Sequence, residues 1–223
     1  IAPAYTPFND EAVFVDGKGR TRRVRVGQNG VIETRFVNSA QGSIYFTPAD
    51  SPTTNALRRI LVAPATLVVG DQGTIVNYDQ ATDSWKLVPP VTSADLLDAT
   101  YNSGVTVVVG TGGTILTPAG ITNWLVRSSG TANNLYTAGS GALQSGFLFI
   151  VGGDNGTILT SPDSITWTAR TSGVTNRIGY VRGGDYTPGF FAFPAHGYSF
   201  LVSTNGASTW QQVPIGHPFA IKK

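Results

Sequence analysis

A short pattern recurs at Gly30-Val31-Ile32, Gly73-Thr74-Ile75, Gly113-Thr114-Ile115 and Gly156-Thr157-Ile158, with a degenerate fifth copy at Ser199-Phe200-Leu201. The copies fall 43, 40, 43 and 43 residues apart. Four short antiparallel strands with their turns use about 40–45 residues, so this period is that of a β-propeller blade. The spacing predicts an all-β chain, a five-bladed β-propeller of four-stranded antiparallel blades with negligible helix. The blades are predicted over 11–52, 56–90, 94–128, 134–171 and 176–214 of one domain, 1–223, with tails 1–10 and 215–223.

The flanks give the repeat its geometry. A second glycine precedes the first by three residues at Gly27, Gly70, Gly110 and Gly153, and β-branched runs such as Val105–Val109 stand before it. This reads as a hairpin whose glycines supply the positive φ of a tight turn. Nine or ten residues after the central Ile or Leu comes a tryptophan, Trp85, Trp124, Trp167 or Trp210, which accounts for all four in the chain. These are expected to be structural, closing the space between blades. The first repeat lacks a tryptophan, and Tyr45 or Phe46 is expected to fill its place.

Composition bounds the rest. A chain with 27 glycines, 13 prolines and 13% charged residues is turn-rich and shows no low-complexity linker. It has no cysteine, so neither disulfides nor thiolate ligands are available. No apolar stretch approaches a membrane span, and no membrane insertion is expected. The absence of methionine suggests a processed or partial chain. A net charge of +2 is too small to argue for nucleic acid. Arg20, Arg22, Arg23 and Arg25 nevertheless form a local basic cluster, in which Arg23 and Arg25 share one strand face and Val24 and Val26 the other. Arg22, Arg23 and Arg25 are the candidate partner contacts; a solvated sheet edge is the plainer explanation.

The turns that join second to third strands should open on one face together with the connections between blades. That face gathers Gln28, Asn29, Asp71, Gln72, Asp154, Asn155, His196 and Tyr198, with Asn133, Asn134, Asn176 and Arg177 from the connections. Amides, carboxylates and a few aromatics suit sugar hydroxyls. Tight turns also favour Asn, Asp and Gln for their own reasons.

The turns Ser161-Pro162-Asp163-Ser164-Ile165-Thr166-Trp167 and Ser203–Trp210 resemble the Asp-box, or bacterial neuraminidase repeat, of pattern Ser-x-Asp-x-Gly-x-Thr-Trp. The second copy has Asn205 for Asp and Ala207 for Gly; the first is one residue shorter. Only fragments stand at Asp79–Trp85 and Thr117–Trp124. The stretch Phe147–Gly173 is similar to repeats of phage tail and virion proteins, bacterial surface propellers and photosystem II assembly factors. The last have more blades than this length provides, and five blades look more like small lectin propellers.

The resemblance implies a non-enzymatic receptor-binding module, on a virion surface or extracellular, that attaches to host-surface glycans or a receptor and contacts other virion proteins. The alternative is a structural or assembly propeller that binds a protein partner, with the arginine cluster and Lys222-Lys223 as the contact. A degenerate sialidase-like glycosidase is the third reading, but Glu11 and Glu33 are the only glutamates, and no arginine set matches those enzymes. His196 and His217 are the only histidines and lack metal-ligand spacing. No catalytic residue, metal or cofactor is expected.

Overall fold

The computed structural model describes residues 8–37, 45–62, 65–120, 123–143, 146–184, 189–195 and 199–214. Twenty strands form five four-stranded antiparallel sheets, each made of four strands consecutive in the chain. Blade 1 contains β1 (Phe8–Val15), β2 (Thr21–Gly27), β3 (Ile32–Phe36) and β4 (Thr47–Pro48). Blade 2 contains β5 (Leu57–Val62), β6 (Thr66–Gly70), β7 (Ile75–Asp79) and β8 (Ser84–Val88). Blade 3 contains β9 (Leu96–Asn102), β10 (Val105–Gly110), β11 (Ile115–Pro118) and β12 (Trp124–Arg127). Blade 4 contains β13 (Leu135–Leu143), β14 (Gly146–Gly153), β15 (Ile158–Ser161) and β16 (Thr168–Arg170). Blade 5 contains β17 (Ile178–Gly183), β18 (Phe190–Pro194), β19 (Ser199–Ser203) and β20 (Gln211–Pro214). No α-helix occurs among the described residues. The fold is a five-bladed β-propeller.

Packing groups the chain into two compact units, 1–99 with 118–125, and 100–117 with 126–223. In the first, Phe14, Val24, Val26 and Ile32 of blade 1 pack on Ile60, Val68, Val76, Tyr78 and Trp85 of blade 2. In the second, Val107, Val109 and Ile115 of blade 3 meet Phe149, Val151 and Leu159 of blade 4. The other face of blade 4, with Leu148, Ile150 and Ile158, meets Ile178, Val181, Phe190, Ala192 and Leu201 of blade 5. Central strands are therefore apolar on both faces, which is why β6 is buried along its whole length and the Val107–Val109 run does not alternate.

The first strands of neighbouring blades are also clasped by polar groups. Asp10 Oδ2 accepts the Ile60 N–H at 2.8 Å, and Thr137 Oγ1, at the same strand position three blades on, accepts the Val181 N–H at 3.3 Å. Strand β1 starts at Phe8, ahead of the expected blade boundary at residue 11, because Asn9 and Asp10 hold blade 2: Asn9 Nδ2 donates to the Leu57 carbonyl at 2.7 Å. In the same unit Arg59 lies between Asp10 and Asp98, at 3.5 and 3.0 Å.

The repeated hairpin turn is tighter than a glycine count suggests. In blade 4, Asn155 (φ 54°, ψ 35°) and Gly156 (φ 68°) are successive left-handed residues, the type I′ geometry that matches strand twist. Asn29-Gly30, Gln72-Gly73 and Gly112-Gly113 repeat it. The earlier glycine of each pair does not supply positive φ, contrary to the sequence expectation: Gly27, Gly110 and Gly153 are extended, with φ of −160°, −164° and −154°. Space explains it instead. A Cβ on Gly153 would lie 2.4 Å from the Asn134 carbonyl oxygen, and one on Gly70 2.2 Å from that of Ala56.

The fifth repeat is offset by one residue from the alignment of Leu201 with Ile158. Val151 pairs with Leu159 in blade 4, and Ala192 pairs with Leu201 in blade 5, so Leu201 matches Leu159 and Phe200 matches Ile158. One residue of slip exchanges the two faces of a strand. Leu201 accordingly packs toward blade 4, and Phe200 lies on the opposite face.

The tryptophans fall into two classes. Trp85 and Trp124 lie within β8 and β12 and are buried at 8% and 7% exposure. Trp167 and Trp210 are only half-buried, packed at the margins of the blade 3–4 and blade 4–5 cores. They directly precede β16 and β20 rather than lying within them. In blade 1, Tyr45 is 73% exposed, and Phe46 is half-buried but stacks on arginines.

Candidate functional site

The connections between blades form a second repeat, legible once the strands are placed. Ser51, Ser129 and Ser172 each donate Oγ–H to the carbonyl two residues on, at 3.1 Å in all three. Thr53, Thr92 and Thr131 each accept the N–H two residues on, again at 3.1 Å. These Ser/Thr turns present an asparagine to a hairpin turn. In the first unit Asn55 Nδ2 donates to Thr74 Oγ1 at 2.9 Å; in the second Asn133 Nδ2 donates to Thr157 Oγ1 at 2.8 Å and to the Asp154 carbonyl at 3.3 Å.

This geometry absorbs much of the amide-rich loop face. Asn155 Nδ2 donates to Asn133 Oδ1 at 3.2 Å. Asn134 Oδ1 accepts the Gly112 N–H at 2.9 Å, and its Nδ2 donates to the Tyr136 hydroxyl at 3.3 Å. That hydroxyl donates to Asp154 Oδ2 at 3.3 Å, while Arg177 lies 4.5 Å from the centre of the Tyr136 ring. In the first unit Asp71 is held by Arg58 through Nε at 2.7 Å and Nη2 at 2.9 Å, and the Gln72 N–H donates to Asp95 Oδ1 at 3.0 Å. Asn176 occupies in its connection the place of Asn133. Asn29, Gln72 and Asn155 are exposed at the turn tips, and Gln28 is half-buried. His196 and Tyr198 lie outside the described residues, as do Lys222 and Lys223. Turn chemistry thus accounts for most of the polar groups selected from the sequence.

A shallow cavity of about 490 Å³ opens in the second unit beside this face, lined among others by Thr131, Asn155, Thr157, Arg170, Thr171 and Thr175. Arg170 donates its Nε to Thr160 Oγ1 at 2.8 Å, as Arg127 does to Thr117 at 2.8 Å.

The arginine cluster divides between two faces of blade 1. Arg22 lies on the Val24 side: its Nη1 reaches Asp83 Oδ1 at 2.5 Å and the Tyr78 hydroxyl at 3.3 Å. Burial and the Asp83 carboxylate push the Tyr78 pKa up to about 12. Nearby Asp16, 1% exposed in its side chain, accepts the Lys18 and Arg20 N–H groups and Arg20 Nε. Burial alone would raise its pKa, but the hydrogen bonds from Arg20 and the backbone outweigh it and the net shift is downward. Arg22 is thus part of the joint between blades 1 and 2.

Arg23 and Arg25 lie on the outward face with Arg35, which pairs across the ladder with Arg23. Arg25 is sandwiched between the rings of Phe8 and Phe46 at 3.8 and 3.9 Å, and Arg35 lies 5.3 Å from Phe46. Glu33 binds Arg25 and Glu11 binds Arg23, at 2.5 and 2.6 Å. Arg35 has no carboxylate partner among the described residues. Val13 and Val15, 46% and 55% exposed, complete this surface. The contributions of Arg35, Phe8 and Phe46 went unrecognised in the sequence, although a two-residue turn at Asn29-Gly30 fixes the Arg25–Glu33 and Arg23–Arg35 pairing.

No described cluster of His, Cys, Asp or Glu could hold a metal ion. No family model and no curated protein sequence matches the chain. Solved structures do. A structure of YCF48 bound to D1 peptide aligns with TM-score 0.65 and 13% identity, over 95% of this chain and 68% of that one. YCF48 from Cyanidioschyzon merolae aligns with TM-score 0.64 and 15% identity, over 96% and 73%. A chain of the mitotic checkpoint complex gives 0.70 and 11%, over 97% and 67%. At such identities the likeness shows the propeller fold and nothing of activity.

Proposed function

We propose that this chain is a non-enzymatic structural or assembly propeller that binds a protein partner through the outward face of blade 1. The observation that carries the reading is the half-buried Phe8–Arg25–Phe46–Arg35 stack, flanked by exposed Val13 and Val15, which presents guanidinium groups together with apolar area in a fixed geometry. Such an arrangement is common at protein contacts, where arginine and aromatic side chains are enriched. By contrast, most polar groups on the loop face satisfy one another. The fold neighbours are in keeping with this reading, one of them being YCF48 in complex with a peptide.

Site-specific photo-crosslinking tests it. A crosslinker at Arg35 should capture protein, and one at Gln72 should capture little; the reverse distribution would refute the proposal. A second reading, glycan attachment on a virion or extracellular surface, is favoured by the cavity lined by Asn155, Arg170 and threonine hydroxyls. A glycan array distinguishes them: avid carbohydrate binding that is lost in Asp154→Ala/Asn155→Ala would replace the protein-binding reading.

A further inference from the structure

The cavity of the second unit holds a cation with no counter-charge among the described residues. Arg170 lines it and donates Nε to Thr160 Oγ1 at 2.8 Å, and Thr160 is only 1% exposed, so one corner of the guanidinium is anchored in buried structure. Both Nη groups lack a partner among the described residues, and no described Asp or Glu lines the cavity. Other arginines of the chain are paired: Arg20, Arg22, Arg23, Arg25, Arg58 and Arg59 each meet a carboxylate. Beside Arg170, the hydroxyls of Thr171 and Thr175 and the Oδ1 of Asn155 have no partner among the described residues, although Asn155 Nδ2 is held by Asn133. Exposed Ala169 and half-buried Val174 add apolar area to the same wall.

Charge and hydrogen bonding together select the ligand. A guanidinium whose Nε is spent still offers its two Nη groups as a fork, which fits the two oxygens of a carboxylate. A phosphate dianion would call for a second cation, and Arg170 is the only charged side chain among the described lining residues. The free hydroxyls and amide oxygen need partners of their own once water is displaced, because an unpaired polar group costs free energy on burial. An acidic amino-acid side chain would bring methylenes to them, whereas a sugar acid brings hydroxyls that both donate and accept. The volume of about 490 Å³ falls within the range of small-ligand sites, roughly 300–1,000 Å³.

We propose that this cavity is a small-ligand site for a sugar acid of the uronic type, with the carboxylate on Arg170 and the ring hydroxyls on Thr171, Thr175 and Asn155. The site goes beyond the contact on blade 1 and does not depend on it. Blade 3 supplies an internal comparison: Arg127 is anchored to Thr117 as Arg170 is to Thr160, but it is not among the residues that line this cavity.

Amide NMR titration of the full chain with glucuronate, glucose and N-acetylglutamate amide tests this. Glucuronate should shift the Arg170, Thr171 and Thr175 resonances to saturation. The other two probes each lack one half of the recognition and should bind about tenfold more weakly or worse. Arg170→Gln should abolish the glucuronate shifts, and Arg127→Gln should leave them unchanged. Absence of saturable shifts, glucose binding as well as glucuronate, binding retained in Arg170→Gln, or equal loss in Arg127→Gln would overturn the proposal. Equal binding of N-acetylglutamate amide would overturn it too, and would assign the cavity to acidic peptides. Circular dichroism checks folding. If Arg170→Gln does not fold, Thr171→Val/Thr175→Val, at two exposed residues, replaces it and should erase the preference for glucuronate over N-acetylglutamate amide; a preference retained there sinks the inference. Capture by the crosslinker at Arg35 is read separately, so failure here leaves the protein contact of blade 1 standing.

Discussion

The carbonyl oxygen of Val174 lies 1.9 Å from where a Cβ on Gly156 would sit, and the same relation joins Gly30 to Thr53, Gly73 to Thr92 and Gly113 to Thr131 at 1.9, 2.0 and 2.0 Å. Each hairpin turn is thus pressed against the connection to the next blade. Gly156→Ala would add the left-handed strain of about 1–2 kcal/mol to a collision with backbone, which cannot move aside as a side-chain tip can. The expected loss exceeds about 2 kcal/mol in denaturant unfolding. Asn155→Gly, at the adjacent left-handed residue, relieves strain there and forfeits only the exposed hydrogen bond to Asn133 Oδ1, so it should cost less than Gly156→Ala.

The clamp from Asn133 to Thr157 and Asp154 predicts an effect on stability. Asn133→Ala removes the donor to both and should cost about 1–3 kcal/mol. A melting temperature equal to the wild type would show the clamp to be idle.

The two classes of tryptophan should separate on mutation. Trp85 packs edge-on against Phe14 and tilted against Tyr78, with centroids 6.3 and 5.1 Å away, inside the joint of blades 1 and 2. Trp85→Ala should therefore cost about 3–5 kcal/mol, and Trp210→Ala measurably less, since that ring is half-buried. Equal costs in chemical denaturation would contradict the difference in burial.

Asp163 gives an acid-side signature. The backbone N–H groups of Thr166 and Ile165, both at 2.8 Å, hold its carboxylate pKa down to about 2 from an ordinary 3.8. A folded-state value below the unfolded one means a stabilisation fully present above about pH 4 and lost as pH falls through about 2. Carboxyl NMR titration should show Asp163 protonating among the last, and Asp163→Ala should flatten the acid limb of the stability curve.

Tyr78 is the counterpart at high pH. Its pKa of about 12 lies above the ordinary 10, so the stability linked to the neutral phenol is complete below pH 10 and fades as pH rises through about 12. In ultraviolet titration one tyrosine should ionise late, and the late step should vanish in Tyr78→Phe.

Much of the molecule follows from local rules. The Gly-x-Ile period determined the number of blades, because a type I′ turn has few acceptable residues and recurs where Asn-Gly, Gln-Gly or Gly-Gly recurs. Hairpin pairing likewise puts Arg25 opposite Glu33 and Arg23 opposite Arg35. The fifth repeat was legible only to within one residue, since Phe200 and Leu201 are both apolar and nothing local selects which faces blade 4. The loop face reads two ways for a related reason: Asn133, Asn134 and Asp154 are the residues a sugar would need and also those a tight turn needs.

By itself, then, the sequence determined the all-β class, the five blades and the positions of their turns, all of which depend on backbone preferences of near neighbours. Only the tertiary structure decided which side chains are free. Asn133 is consumed by Thr157, twenty-four residues away, and Arg22 by Asp83, sixty-one residues away, whereas Phe191 and Phe193 stay exposed where blade 4 has Ile150 and Gly152 under cover. These outcomes are set by packing between blades, which no local pattern encodes.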